Sequence, residues 1–252
     1  MDLKEKIEIA EKWIIESKNL VVFTGAGIST DSGLPDYRGP DGVWTRRDKG
    51  LPPPSFSLSW DKVKPNDGHY AIVDLFKMGK LSYLISQNVD GLHAKSGIPF
   101  ENMAELHGNM YFMKCLDCNK KMTFEEAKWD KKIWGNGYRT SSIKSGQPKC
   151  PYCEGRIVSS IVNFGDSLPQ DELYESMKRS EQADVFFVIG SSLVVNPAAE
   201  MPGIAKRNGA KLIILNAGKT PYDKIADLRF FEKISEVIPP LIEKVKVKLN
   251  YK

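Results

Sequence analysis

The stretch VVFTGAGISTDSGLPDYRG, Val21 to Gly39, decides the fold. Leu20 to Phe23 is a short apolar run feeding Gly25-Ala26-Gly27. A buried strand that ends in such a turn is the opening of an open α/β sheet, and the turn's N–H groups suit a pyrophosphate. The dinucleotide fingerprint then fails. Thr30 stands where GxGxxG needs its third glycine, and no acidic residue closes a second strand about 20 residues on. A loop, DSGLPDYRG, presents Asp36, Tyr37 and Arg38 instead.

Further apolar runs at Leu81 to Ile85, Val185 to Ile189 and Lys211 to Leu215 read as strands. Helical patterns lie between and around them, at Lys4 to Lys18, Asp67 to Met78 and Pro202 to Asn208. The last, Ile234 to Leu249, is expected to be interrupted near Pro239-Pro240. Strands that are apolar throughout and separated by helices predict a Rossmann-like parallel sheet covered on both faces. Leu51 to Pro65, with three consecutive prolines, reads as an irregular loop.

Between Met110 and Ser160 the pattern breaks, and all four cysteines of the chain fall there. Cys115-Leu-Asp-Cys118 and Cys150-Pro-Tyr-Cys153 are two CxxC knuckles at the spacing that wraps tetrahedral zinc. Disulfides or a redox pair are the alternatives. Four thiolates would fill the coordination sphere, which points to structural rather than catalytic zinc. The expected organisation is a Rossmann-like domain of residues 1–109 and 161–252, a small zinc-binding insertion at 110–160, and a loop region at 40–66. The insertion holds ten Lys or Arg against five Asp or Glu, so it carries +5 of the net +4 and the rest is about neutral. That balance keeps nucleic-acid partners open.

With 252 residues, 41% hydrophobic and 27% charged, the composition is that of a globular domain with one large core. There is no apolar run long enough to span a bilayer and no leader-like N-terminus, which leads us to expect an intracellular, cytoplasmic protein.

Polar clusters follow the strands: Gln87-Asn88-Val89-Asp90, Gly190-Ser191-Ser192 and Asn216. Ligands of open α/β sheets bind beyond the carboxyl ends of the strands, so these clusters are expected to converge. Of three histidines, His69 reads as packed or capping. His93 reads as a structural hydrogen bonder that could orient the Gln87–Asp90 cluster. His107, at the boundary of the insertion, suits general-base work.

GAGIST, GLPDYRG, SQNVDGLH, ELHGN, the paired knuckles, VNFGDSLP, GSSLVVNP and ILN together resemble the sirtuins, the NAD-dependent protein-lysine deacylases. GPDGVWT, AELHGNM and the short stretch between Trp44 and Pro65 are most similar to the class IV, chromatin-associated branch. The resemblance implies NAD and zinc as cofactors and acyl-lysine proteins or peptides as partners, with a monomer or weak homodimer open. It implies NAD contacts from Gly25, Ala26, Gly27, Ser29, Asp36, Tyr37, Arg38, Gln87, Asn88, Val89, Asp90, Gly190, Ser191, Ser192 and Asn216. An acyl-lysine strand would be held by Val162, Phe164, Gly165 and the backbone from Gly190 to Leu193. His107 would serve as base with Asn88 beside it, transferring the acyl group to ADP-ribose with release of nicotinamide. Tyr37 for Phe, Ser86 for Thr, Asp166 for Glu and Ser191 for Thr are mild departures. Mono-ADP-ribosylation at the same site, or a basic zinc module binding nucleic acid or chromatin, are the rival readings. A dehydrogenase fits poorly with the failed fingerprint.

Overall fold

The computed structural model describes residues 1–55 and 60–251. The elements run, in chain order, α1 (Leu3–Glu16), β1 (Leu20–Thr24), α2 (Val43–Asp48), α3 (Asp67–Lys77), β2 (Leu81–Ser86), α4 (Leu92–Ser96) and β3 (Met103–Glu105). Then come β4 (Phe112–Cys115), β5 (Lys121–Thr123), α5 (Lys131–Trp134), β6 (Ile157–Ser159), α6 (Gln170–Gln182) and β7 (Val185–Ile189). The chain closes with α7 (Met201–Arg207), β8 (Lys211–Leu215), β9 (Leu228–Phe230) and α8 (Ile234–Lys248).

Six strands form one parallel sheet in the order β3-β2-β1-β7-β8-β9. Its two faces alternate along every central strand. Leu20, Val22, Leu84, Phe187 and Ile213 meet α1, α3 and α8, whereas Val21, Phe23, Ile85, Phe186 and Ile214 meet α7. Because neighbours in sequence bury on opposite faces, both faces need cover, and the apolar runs are continuous for that reason. The chain winds outward from β1 through β2 to β3, then returns to β7 on the other side of β1. That reversal opens a crevice between the turns that follow β1 and β7.

β4, β5 and β6 form a separate antiparallel sheet in the order β5-β4-β6, around Met113, Met122, Trp129 and Ile157. It departs from the main sheet after His107 and rejoins it at Val162, whose N–H donates to the His107 carbonyl at 2.9 Å.

Several expectations need correcting. α8 runs unbroken through Pro239 and Pro240. Burial of Val237, Ile238, Leu241, Ile242 and Val245 offsets the hydrogen bonds the two prolines cannot donate. The 40–66 region is not all loop, since α2 and a 3₁₀ turn at Trp60–Lys62 lie within it; residues 56–59 fall outside the described residues. β3 and β9, at three residues each, are too short for a periodicity to register. α6 went unread because its inward face carries serine: Ser176 and Ser180 are its buried residues.

Candidate active site

Two turns meet at the reversal point. The Gly27 N–H donates to the Gly190 carbonyl at 2.9 Å, and the Gly25 N–H to the Ile189 carbonyl at 3.1 Å. A Cβ on Gly25 would lie 2.7 Å from the Gly190 oxygen, and one on Gly27 2.8 Å from the Gly190 Cα. These glycines are therefore required by contact of turn on turn, whatever they also offer a phosphate. Gly27→Ala is expected to cost about 1–3 kcal/mol of stability by overpacking, measured as a lowered Tm. After Gly25 the chain forms a seven-residue 3₁₀ helix, Ala26–Ser32, stopped by Gly33 in the left-handed conformation. No α-helix begins here, and that leaves room for the loop carrying Asp36 to Arg38.

The clusters that follow β2 and β7 converge on the turn after β1, while Asn216, after β8, bonds Gly218 and Phe230 instead. Ser29 donates to Asp90 Oδ2 at 2.7 Å, and Asn88 Nδ2 donates to the Ser29 hydroxyl at 3.2 Å. Gln87 Nε2 donates to the Ser191 hydroxyl at 2.7 Å, joining the ends of β2 and β7. Asp90 also accepts from the Leu92 N–H at 2.9 Å. Burial raises its carboxyl pKa, and the bonds from Leu92 and Ser29 oppose that rise. Burial, and after it the charge of Asp90, raise the Tyr37 phenol pKa.

His107 is held by the first residue of the Gln87–Asp90 cluster. Its Nδ1 lies 2.9 Å from the Gln87 carbonyl oxygen. A carbonyl only accepts, so Nδ1 carries the proton and Nε2 keeps its lone pair. Burial lowers the imidazole pKa, with the Gln87 bond opposing. A neutral imidazole with a fixed free lone pair is the state a general base needs. The turn that presents it has little tolerance: Gly108 has φ +77°, and a Cβ there would collide with the Ser160 carbonyl oxygen.

Other expected residues are placed differently. Arg38 pairs with Asp48 at 3.1 Å on the surface. The Asp36 carboxylate folds back on the Gly39 N–H at 2.9 Å and builds the turn. Asn216 ends β8 half-buried, its amide donating to the Gly218 carbonyl at 3.0 Å. Ser192 and Val89 are half-buried, and the Val89 carbonyl accepts from Met110 at 2.9 Å. The Gly190 N–H binds the Leu215 carbonyl and its own carbonyl accepts from Gly27, which leaves a peptide the second lone pair of that oxygen. Val162 likewise has its N–H occupied by His107. Phe164 is 78% exposed and meets Trp44 edge-on at 5.7 Å, while Trp44 stacks on Tyr37 at 5.8 Å. The sequence reading missed Trp44 as a member of this aromatic row. Its place opposite Phe164 depends on α2, which was read as loop. Gly165, at φ +90°, turns the chain after Phe164.

The four cysteine sulfurs all lie within 4.8 Å of one another, with Cys115–Cys153 at 3.5 Å and Cys118–Cys150 at 3.7 Å. Tetrahedral zinc with bonds of about 2.3 Å places its sulfurs ~3.8 Å apart. The donor set fits that ion, and no disulfide joins the four.

A family model described as "Sir2 family" matches residues 55–197. An "NAD-dependent protein deacetylase 1" of Pyrobaculum aerophilum is 40% identical over 262 residues, covering 96% of each chain. The chain belongs to the Sir2 family. An "NAD-dependent protein deacylase 2" of Archaeoglobus fulgidus is 39% identical and covers 97% of this Sir2 chain and 98% of its own. Among solved structures, "Sir2-p53 peptide-NAD+" aligns at TM-score 0.72 and 36% identity, over 98% of this Sir2 chain and 100% of that one. "The structure of Sir2Af2 bound to a myristoylated histone peptide" aligns at 0.69 and 36%, over 99% and 100%. Among the described residues of this Sir2 protein no helix is long and apolar enough to cross a membrane.

Acid sensitivity follows from a second histidine of this Sir2 chain. His69, fully buried as the capping partner of Asn66, has its pKa lowered by burial to about 4. The folded state thus binds fewer protons than the unfolded one between that value and the ordinary 6.5. Its contribution is present above pH 6.5 and is lost as pH falls through about 4, a change of about 3 kcal/mol. Denaturant midpoints measured from pH 7 to 4 are expected to fall, and less steeply in His69→Gln.

Proposed function

We propose that this protein is an NAD-dependent protein-lysine deacylase that transfers the acyl group to ADP-ribose and releases nicotinamide. The observation that carries the reading is His107, neutral and tautomerically fixed by the Gln87 carbonyl, one residue before the Asn88 that bonds Ser29 in the Ser29–Asn88–Asp90 cluster. Bound NAD supplies the glycosidic bond whose nicotinamide leaves and the ribose that receives the acyl group. Asp90 accepts the carboxamide N–H of the ring, with Tyr37 and Ser29 closing that end of the crevice. The turn at Gly25, Ala26 and Gly27, with Ser191 and Ser192, holds the diphosphate. Asn216, at the end of β8, serves the adenine side. Arg38 reaches phosphate by exchanging Asp48 for it, since a surface ion pair is worth little. His107 Nε2 takes a ribose hydroxyl proton, and Asn88 orients that ribose.

The acyl-lysine enters between the two sheets, past Val162, Phe164 and Gly165, with the Trp44–Phe164 edge contact lining its path. Residues 1–109 and 161–252 form the NAD-binding unit and 110–160 the zinc-binding unit. The class IV branch is part of the same proposal and rests on the motifs.

Incubation with NAD and an acetyl-lysine peptide is expected to yield nicotinamide, acetyl-ADP-ribose and deacetylated peptide in equal amounts. ADP-ribosylated protein without deacetylation would instead establish the transferase reading. Salt-dependent DNA binding with no NAD turnover would establish the basic zinc module.

A further inference from the structure

Two of the three histidines have no part in the chemistry above, yet both are buried and lie together. The rings of His69, on α3, and His93, on α4, have centroids 4.9 Å apart. His69 Nε2 and His93 Nδ1 have no hydrogen-bond partner. Leaving buried polar atoms unpaired costs stability, and an apolar pair of the same volume would avoid that cost. What an apolar pair could not do is use the other two nitrogens.

Those nitrogens point in opposite directions. His93 Nε2 lies 2.9 Å from the Thr24 hydroxyl at the end of β1. Thr24 is 3.2 Å from the Ser86 hydroxyl at the end of β2, and Ser86 accepts the Asn88 N–H at 3.1 Å. On the other side, His69 Nδ1 lies 3.0 Å from Asn66 Oδ1. The Asn66 amide donates to the Ile28 carbonyl at 2.8 Å and to the Ser32 hydroxyl at 3.0 Å. One end of this buried row therefore holds the segment Gln87–Asp90, and the other holds the turn Ala26–Ser32. These two segments also bond each other directly, since Ser29 donates to Asp90 and accepts from Asn88.

We propose that His69 and His93 are a positioning pair that sets the spacing of the two NAD-binding segments, acting through Asn66 on one side and through Thr24 and Ser86 on the other. This rests on the reading of the crevice as an NAD site. Neither imidazole touches the ligand. Burial keeps both neutral, and His69 further disfavours charge on His93. The pair acts as fixed hydrogen-bonding groups, not as a proton switch.

The variants that test this are Thr24→Val, which keeps the shape and removes the hydroxyl, His93→Leu, and His93→Gln, which retains a polar nitrogen. Two readouts are taken: hydrogen exchange of the Asn88 amide in unliganded protein, and the NAD dissociation constant by calorimetry. Thr24→Val and His93→Leu are expected to speed Asn88 exchange and to weaken NAD binding about tenfold, raising KM while kcat stays within about twofold. His93→Gln is expected to recover most of the affinity. Unchanged Asn88 protection overturns the proposal. So does faster exchange with unaltered NAD affinity, or a loss of Tm alone, because a packing role predicts those results. If the wild-type protein binds no NAD, the proposed function fails, and the exchange experiment still decides whether the histidine row holds Asn88 in place.

Discussion

Replacing His107 with alanine is expected to lower deacylation by about 10²–10⁴-fold, with NAD affinity and Tm close to those of the wild type. The size follows from what is removed. Nδ1 is committed to the Gln87 carbonyl, so Nε2 is the proton acceptor the residue can offer. The ring is half-buried, so its loss leaves a gap open toward solvent rather than a cavity in the core. The pH profile of the wild type provides a second check. Burial places the imidazole below its ordinary pKa of about 6.5, and the neutral form is the active one. Activity should therefore be flat from neutral pH down through 6.5 and fall only below it. A His107→Ala protein with full deacylase activity, or a wild-type profile that falls on the alkaline side of 7, would remove this residue from the base role.

The second large effect is expected at the cysteines. Cys115→Ala is expected to lose zinc and with it the fold of the small sheet. The apolar centre of that sheet consists of Met113, Met122, Ala127, Trp129 and Ile157 together with Cys115 and Cys150 themselves. A core of that size does not hold three short strands without a covalent or metal staple. Zinc bound to four thiolates contributes on the order of 10 kcal/mol in isolated modules. Activity should vanish as well, since the small sheet joins His107 through the Val162 N–H and joins Asn109 through the Ser160 hydroxyl. Metal analysis, far-UV circular dichroism and the deacylation assay check this together. The six-stranded sheet is expected to persist in the dichroism spectrum. Full activity in a metal-free protein would show that the staple is dispensable.

The parts of the molecule that were legible in the sequence are those where one residue type has one physical use. β1, β7 and β8 were readable because strands buried on both faces are continuously apolar. The zinc site was readable because two CxxC knuckles have few other uses. α6 was not, because its buried positions are serines, and β3 and β9 were too short to show a period. α8 looked broken because two prolines oppose a helix locally, and only its packing against α1 and α3 overrides them. Arg38 and Asp36 were in the right loop but had nearer partners, Asp48 and Gly39, which sequence spacing does not reveal.

By itself the sequence determined the parallel sheet, the four-thiolate module, and the failure of the dinucleotide fingerprint at Thr30. These depend on local pattern: burial on two faces, ligand spacing, a missing glycine. Only the tertiary structure decided which groups meet. It put the Gln87 carbonyl against His107 and so chose the tautomer. It made Gly25 and Gly27 obligatory through contact with Gly190, more than 160 residues away. It also brought His69 and His93 together from separate helices behind the crevice. Hydrogen bonds and close contacts of this kind require segments remote in the chain to be placed to within a few tenths of an ångström, and no local pattern encodes that.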